Sequence, residues 1–284
     1  SKGSKVRPDG LVRVTWGSTI WAALVEVKTG DNELDSEQLN NYLLAAREIG
    51  AEKVISISNE LGIAGGHPTP NLNVRSNSKV TIDHISWTEL LAQAIQCRVH
   101  AGVDDPEQAW ILGELIRYLE HPSSGALAMN DMGSSWVKVR DGAKESTLRK
   151  SDKDVQDIAG KWGQLTQFIA IRLQSNTGAD ISRVLPRNQR DPKARISHLT
   201  ESLVDDGLVS DRIRIDGAVG DIEIAADLRA RRLVASVDVP APGDRKGRGS
   251  VTWLTKQISS SANPNLVVES FAPHARNPTA TTLE

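Results

Sequence analysis

Three charged side chains near the start of the chain have the types and spacing that metal-assisted hydrolysis requires. Asp9 precedes a predicted strand, and Glu26 and Lys28 lie near the end of the next one. Because residues i and i+2 of a strand point to the same face, Glu26 and Lys28 stand side by side while Val27 turns into the core. Asp9 can reach them across a hairpin. Two carboxylates can hold a Mg²⁺ that keeps several waters, and a lysine can orient or deprotonate the attacking water, so the pattern indicates phosphodiester cleavage.

The elements predicted around these residues form one sheet. Residues 11–16 alternate apolar and polar side chains, and residues 20–27 form a mostly apolar run, typical of a strand buried on both faces. Asp35 or Ser36 caps a helix that leads to another strand at residues 53–58. A strand–helix–strand unit connects parallel strands, so the sequence predicts a mixed sheet with Glu26 and Lys28 at a strand end.

The next stretch continues the α/β pattern. Residues 62–78 are rich in Gly, Pro and Asn, which predicts a loop, and a strand follows at residues 79–85. Ser86 caps the next helix, with Glu89 three residues on completing a capping box. A further helix begins near Pro106, because proline is favoured in the first turn.

From about residue 123 the pattern changes to an α+β mixture. Residues 123–125 and 141–153 are predicted as polar connectors, and residues 155–173 as a long amphipathic helix. The remaining predicted elements are helices at 194–204 and 251–258, and strands at 181–185, 212–215, 221–226, 233–239 and 266–271.

A glutamine and a tyrosine extend the pattern of charged residues. Gln38 and Tyr42 stand four residues apart, so they share one face of the predicted helix. The order Pro8-Asp9, Glu26-Val27-Lys28 and Gln38-x-x-x-Tyr42 resembles the PD-(D/E)xK nuclease superfamily, the restriction-endonuclease-like group, and within it the RecB-like QxxxY branch. The resemblance covers roughly residues 1–100.

This resemblance implies an α/β fold for the N-terminal part of the chain, and the change of pattern from about residue 123 predicts a division of the chain. The expected architecture is a restriction-endonuclease-like mixed sheet flanked by helices, followed by a smaller α+β C-terminal domain. The nuclease-like domain would span residues 1–122, a connector residues 123–150, and an α+β domain of unassigned role residues 151–284. That last domain would recognise substrate, dimerise, or bind a partner or signal.

The resemblance also implies a site and an activity. Asp9 and Glu26 would hold Mg²⁺ or Mn²⁺, with the carbonyl of Val27 as a further ligand. Lys28 and Gln38 would act with the two carboxylates as catalytic residues, and Tyr42 would pack its ring behind them. The expected reaction is metal-dependent hydrolysis of DNA, with RNA as the less favoured substrate.

Simpler interpretations of the same residues remain open. Asp9 lies in a Pro-Asp-Gly tripeptide, which forms turns in any protein, and a helical Gln38 is often just solvated. Many members of the superfamily carry another metal-binding glutamate on an upstream helix, whereas no glutamate lies among the six residues before Arg7. The alternative is therefore a catalytically incomplete nucleic-acid-binding or assembly module of a stress or defence system.

Composition limits the other possibilities. With 284 residues the chain has room for two domains at ~150 residues each, and its net charge of −2 gives no general indication of a nucleic-acid partner. The single cysteine excludes an intramolecular disulfide and a CxxC zinc site. No apolar run reaches the ~18 residues of a membrane span and no secretory signal opens the chain, which predicts a cytoplasmic protein without a membrane partner. Of the histidines, only His67 lies in a loop that could border the site.

Overall fold

A computed structural model of the chain describes residues 7–63, 67–69, 72–74, 78–126, 129, 131–243, 245–258, 265–272, 274–275 and 277–282. The chain forms two compact units, Ser1–Ser236 and Val237–Glu284. The predicted loop at 62–78 lies partly outside the described residues, and its described part forms no helix or strand.

The first unit begins with a four-stranded mixed sheet. Its strands are β1 (Gly10–Trp16), β2 (Thr19–Val27), β3 (Lys53–Ser58) and β4 (Thr81–Ser86), in that spatial order. β1 and β2 form an antiparallel hairpin, whereas β2, β3 and β4 run parallel to one another. The predicted hairpin, the parallel crossover and the mixed sheet are therefore confirmed, and β2 is a central strand.

Helix α1 (Ser36–Ile49) makes the crossover from β2 to β3 and covers one face of the sheet. Asp35 caps its N-terminus by accepting from the N–H of Gln38, and Gly50 ends it in the left-handed conformation with φ 72°. Glycine suits this position because it has no Cβ to clash there. The buried side of α1 packs on the sheet in a core of apolar side chains that comprises Leu24, Leu34, Leu39, Tyr42, Leu43, Ala46, Ala51, Val54 and Val80.

Two further helices follow β4. Helix α2 (Trp87–Ile95) begins with the predicted capping box of Ser86 and Glu89, and the chain then continues as a π-helical turn over Gln96–Ala101. Helix α3 (Pro106–Glu120) begins at its proline, as predicted.

The rest of the first unit combines three helices with an antiparallel sheet. The helices are α4 (Trp136–Glu145), α5 (Lys153–Thr177) and α6 (Pro192–Asp206), and the sheet has the order β5 (Ile181–Arg183), β6 (Leu208–Ile215), β7 (Ile222–Asp227) and β8 (Arg232–Val237). The predicted connector at 141–153 is wrong in its first part, which belongs to α4. This helix buries only Val139 and Ala143, so its apolar stripe is too narrow to stand out in the sequence.

The second unit is small. Helix α7 (Arg248–Gln257) packs against the antiparallel pair β9 (Val268–Ser270) and β10 (Ala280–Thr282). Taken together, the described residues form a mixed α/β protein with one mixed and two antiparallel sheets, which confirms the predicted class at that level. None of the helices in the described ranges is long and apolar enough to cross a membrane.

Candidate metal-binding and catalytic site

Asp9 is placed at the end of β2 by the hairpin. The N–H of Lys28 donates to the carbonyl of Ile57 in β3 at 2.8 Å. Because backbone groups alternate sides along a strand, the N–H of Val27 points the other way, toward β1. There Oδ2 of Asp9 accepts it at 2.7 Å, just before the first paired residue of β1, Gly10. Asp9 therefore contacts the backbone of β2 at Val27, between Glu26 and Lys28, whereas the approach of its carboxylate to their two side chains stays a prediction.

Glu26 and Lys28 form an ion pair that is largely buried. Nζ of Lys28 lies 2.6 Å from Oε1 of Glu26. The side chain of Lys28 is 24% exposed and that of Glu26 is 3% exposed. The sequence predicted that Val27 would turn into the core, but Glu26 is the buried residue and Val27 is half-buried. The reason is that Glu26 lies on the same face of β2 as Leu24, which packs under α1.

One oxygen of this buried carboxylate lacks a partner. Oε2 of Glu26 is buried and accepts no hydrogen bond of standard geometry from the described residues, although the Tyr42 hydroxyl is close enough to the carboxylate for Glu26, after burial, to raise the pKa of Tyr42. Buried polar atoms are nearly always paired, because leaving one unpaired costs about 1–3 kcal/mol. An unpaired carboxylate oxygen next to the end of a central strand is therefore an observation that a bound cation would explain.

Gln38 and Tyr42 meet on one face of α1, as their spacing predicts. Nε2 of Gln38 donates to the hydroxyl of Tyr42 at 2.9 Å, and that hydroxyl donates to the carbonyl of Arg7 at 2.9 Å. Burial, and after it the carboxylate of Glu26, raises the pKa of Tyr42 to about 12. The tyrosine therefore stays a neutral phenol, and it connects α1 both to the Glu26 carboxylate and to the segment that carries Asp9.

A polar group that sequence reasoning missed lies beside Glu26. In the parallel register Glu26 is opposite Ser56 of β3, and Ser56 is opposite His84 of β4, so the three occupy one row across the sheet. The hydroxyl of fully buried Ser56 lies 2.9 Å from Nε2 of His67 and 3.0 Å from Nδ1 of His84. His67, expected near the site from its loop, is thus connected to the sheet next to Glu26.

The partners of the two imidazoles define where their protons lie. Nε2 of His84 faces the carbonyl of Glu60 at 2.8 Å and must donate, so Nδ1 of a neutral ring accepts from Ser56. Nδ1 of His67 accepts from the N–H of Thr69 at 3.1 Å, so its Nε2 donates to Ser56. Burial, and then the neighbouring His84, lowers the pKa of His67 to about 4, and burial also lowers the pKa of His84. Both rings are neutral near pH 7.

The backbone after β2 is fixed by contacts from distant parts of the chain. Nε1 of Trp87 donates to the carbonyl of Lys28 at 2.8 Å. The N–H of Gly30 donates to the carbonyl of Gly125 at 2.9 Å, and Asn59 donates to the carbonyls of both glycines. A Cβ on Gly125 would lie 2.9 Å from Cβ of Thr29, so the close approach requires a glycine there. These contacts hold the strand end that carries the ion pair.

The donors that the chain offers a metal at this place are few but suitable. No group of three or more His, Cys, Asp or Glu side chains with metal-binding geometry occurs in the described part of the chain. Asp9, the unpaired Oε2 of Glu26 and the carbonyl of Val27, which points to the same side as its N–H, supply only oxygen ligands. Mg²⁺ prefers oxygen ligands and keeps several waters, so this small set fits it better than a transition metal.

Comparison with known proteins adds no family assignment. No family model, no curated protein and no solved structure matches this chain. The fold and the site define a mixed α/β protein with a buried acid–lysine pair at the end of a central strand.

Proposed function

We propose that the chain is a metal-dependent nuclease that hydrolyses the phosphodiester bonds of DNA at the end of β2. The observation that carries the proposal is the buried Glu26–Lys28 pair, whose second carboxylate oxygen accepts no hydrogen bond of standard geometry from the described residues, with Asp9 bound to the N–H of the adjacent Val27. Buried charges and unpaired buried oxygens reduce stability, so their placement at a strand end where ligands usually bind favours a functional role.

Each side chain would have a defined task. Asp9, Glu26 and the Val27 carbonyl would hold Mg²⁺ or Mn²⁺, which would make the attacking water more acidic and counter charge on the phosphate oxygens. The ammonium of Lys28, positioned by Glu26, would orient the attacking water and stabilise the extra negative charge as the water oxygen bonds to phosphorus and the bridging P–O bond breaks. Gln38 would orient the phosphate or a bound water, with Tyr42 fixing its position.

Cleavage assays on single- and double-stranded DNA and on RNA, with Mg²⁺ or Mn²⁺, test this proposal. We expect metal-dependent cleavage of DNA that falls at least ~100-fold in Lys28→Ala and Glu26→Gln, the size typical for loss of one charge-stabilising group. Lys53→Ala is the matched control, because Lys53 forms the exposed ion pair with Asp83 on the neighbouring strands. Equal metal-dependent activity in Lys28→Ala and Lys53→Ala would refute the assignment of Lys28.

A second candidate function rests on the small set of metal ligands. Because the described residues contain no third acidic ligand, the chain could bind nucleic acid or assemble with a partner in a stress or defence system without cutting. Calorimetric titration with Mn²⁺ separates the two. Saturable Mn²⁺ binding that disappears in Asp9→Asn supports the nuclease, whereas DNA binding without Mn²⁺ binding or cleavage favours the second function.

A further inference from the structure

A cavity far along the chain from Asp9 and Glu26 has the composition of a ligand-binding site. It lies among α4, α5 and the connection from β7 to β8, and its volume is about 470 Å³. Pockets that hold small organic ligands span about 300–1,000 Å³, so the cavity has room for one such molecule. All of its lining residues belong to the first unit: Met132, Trp136, Arg140, Trp162, Leu165, Ala226, Asp227, Leu228, Arg231, Arg232 and Leu233.

The walls of this cavity are aromatic and apolar. Trp136 comes from the start of α4 and Trp162 from the middle of α5, with Leu165 one turn further along. Trp162 is 3% exposed, and its indole Nε1–H is buried without an acceptor in the described residues. Two indole rings favour a planar aromatic ligand.

The charged residues of the cavity are mainly cationic. Arg140, Arg231 and Arg232 line it together with one carboxylate, Asp227. Oδ1 of Asp227 accepts from the N–H of Ala230 at 2.8 Å inside the β7–β8 turn, and Arg140 pairs with Asp141 at 2.8 Å. Neither Arg231 nor Arg232 has a carboxylate within 4.0 Å in the part of the chain that the structure describes, although Arg231, after Arg140, is near enough to Asp141 to lower the pKa of that carboxyl. These two guanidinium groups can therefore bind an anion.

The backbone at Arg231 adds a second indication. Its φ is +53°, in the left-handed region that glycine adopts without strain. For other residues this conformation costs roughly 1–2 kcal/mol. A glycine would satisfy the turn better, so the arginine side chain at this strained position is not explained by the fold alone.

We propose that this cavity binds a small planar aromatic ligand that carries a negatively charged group, such as a nucleoside monophosphate or an aromatic carboxylate. The indoles of Trp136 and Trp162 contact the ring, and the guanidinium groups of Arg231 and Arg232 bind the anion, since arginine binds phosphate and carboxylate in bidentate geometry. The proposal does not depend on nuclease activity.

Calorimetric titration of the full chain with four probes tests the proposal. Adenosine 5′-monophosphate and 2-naphthoate are aromatic anions, adenosine supplies an aromatic ring without the charge, and inorganic phosphate supplies the charge without a ring. We expect at least one aromatic anion to bind at least tenfold more tightly than adenosine or phosphate, since a charge-assisted hydrogen bond contributes about that much. The tighter of the two aromatic anions identifies the anionic group.

Two variants and a matched control complete the experiment. Arg231→Gly removes a cation and relaxes the backbone at φ +53°, so it should fold and weaken binding at least tenfold. Trp136→Leu should weaken binding by a similar factor by removing one aromatic wall. Arg212→Met, which removes an exposed arginine paired with Glu223 outside the cavity, should bind like the unmodified chain. Unchanged affinity in Arg231→Gly, or no saturable binding of either aromatic anion up to about 5 mM, would overturn the proposal.

Discussion

Replacing Lys28 by methionine should destabilise the chain much more than replacing an exposed lysine in the same sheet. In Lys28→Met the carboxylate of Glu26 keeps its burial but loses its cation, which lies 2.6 Å away. Methionine is similar in length to the lysine stem, so apolar packing changes little. The main effect is therefore electrostatic: a buried negative charge loses its compensating partner.

The size of the effect follows from the exposure of the two side chains. Removing one partner of a buried ion pair costs about 3–5 kcal/mol, because the other charge remains in a medium of low polarity. Lys28 keeps 24% of its side chain exposed, so water can partly reach the site in the variant, and we expect a loss of about 2–3 kcal/mol. The Lys53–Asp83 pair, with side chains 31% and 52% exposed, should lose no more than about 1 kcal/mol in Lys53→Met.

Urea unfolding at pH 7 measures both changes. The double variant Glu26→Gln/Lys28→Met should recover part of the stability lost in Lys28→Met, because a neutral amide no longer leaves a buried charge without a partner. If Lys28→Met is no less stable than Lys53→Met, the Glu26 carboxylate is not held by this lysine and the described geometry of the site is wrong.

Three further predictions concern other buried polar groups. Folding lowers the pKa of His67 to about 4 and also lowers the pKa of His84, so the stability due to their neutral forms is complete above about pH 6.5 and falls as the pH decreases toward 4. His67 alone should account for up to about 3 kcal/mol of this loss. The midpoint of urea unfolding should therefore depend less on pH in His67→Gln than in the unmodified chain. Asp211→Asn leaves two buried arginines without their shared carboxylate and should cost about 3–5 kcal/mol by urea unfolding. Asp221→Asn breaks a solvent-exposed pair and should cost much less, so equal losses in the two variants would contradict this prediction. Tyr42→Phe removes a hydroxyl with two hydrogen-bond partners and should lower the urea unfolding free energy by about 1–3 kcal/mol, and an unchanged value would show that these bonds are absent in solution.

Local signals in the sequence were sufficient for most of the first sheet. Each of three correctly predicted features depends on residues within a few positions of one another. They are the first strand of the hairpin, with its alternating apolar and polar residues, the helix cap at Asp35 and the capping box at Ser86. For the same reason the contact between Gln38 and Tyr42 could be predicted, since helical geometry alone brings residues i and i+4 together.

The features that sequence reasoning missed depend on long-range packing. Ser56 and His84 lie beside Glu26 only because the register of three parallel strands aligns them, and that register is not encoded within any one strand. Glu26 is buried in place of Val27 because helix α1 covers the face of β2 on which Glu26 lies, and the sequence of β2 alone does not say which face that is. Helix α4 was missed because half of its residues are charged and only Val139 and Ala143 are buried.

The position of Glu26 next to an apolar core provides a direct test of whether it is retained for stability or for function. Leu24 of β2 and Val54 of β3 pack under α1 on the same face of the sheet as Glu26, so an apolar residue at position 26 would extend that core. Replacing a buried ion pair by apolar residues of similar size is often neutral or stabilising by about 1–4 kcal/mol. We therefore expect Glu26→Leu/Lys28→Met to be at least as stable in urea as the unmodified chain, while it loses Mn²⁺ binding in calorimetry. A large loss of stability in this variant would show that the pair is a structural element, and the buried carboxylate would then need no functional explanation.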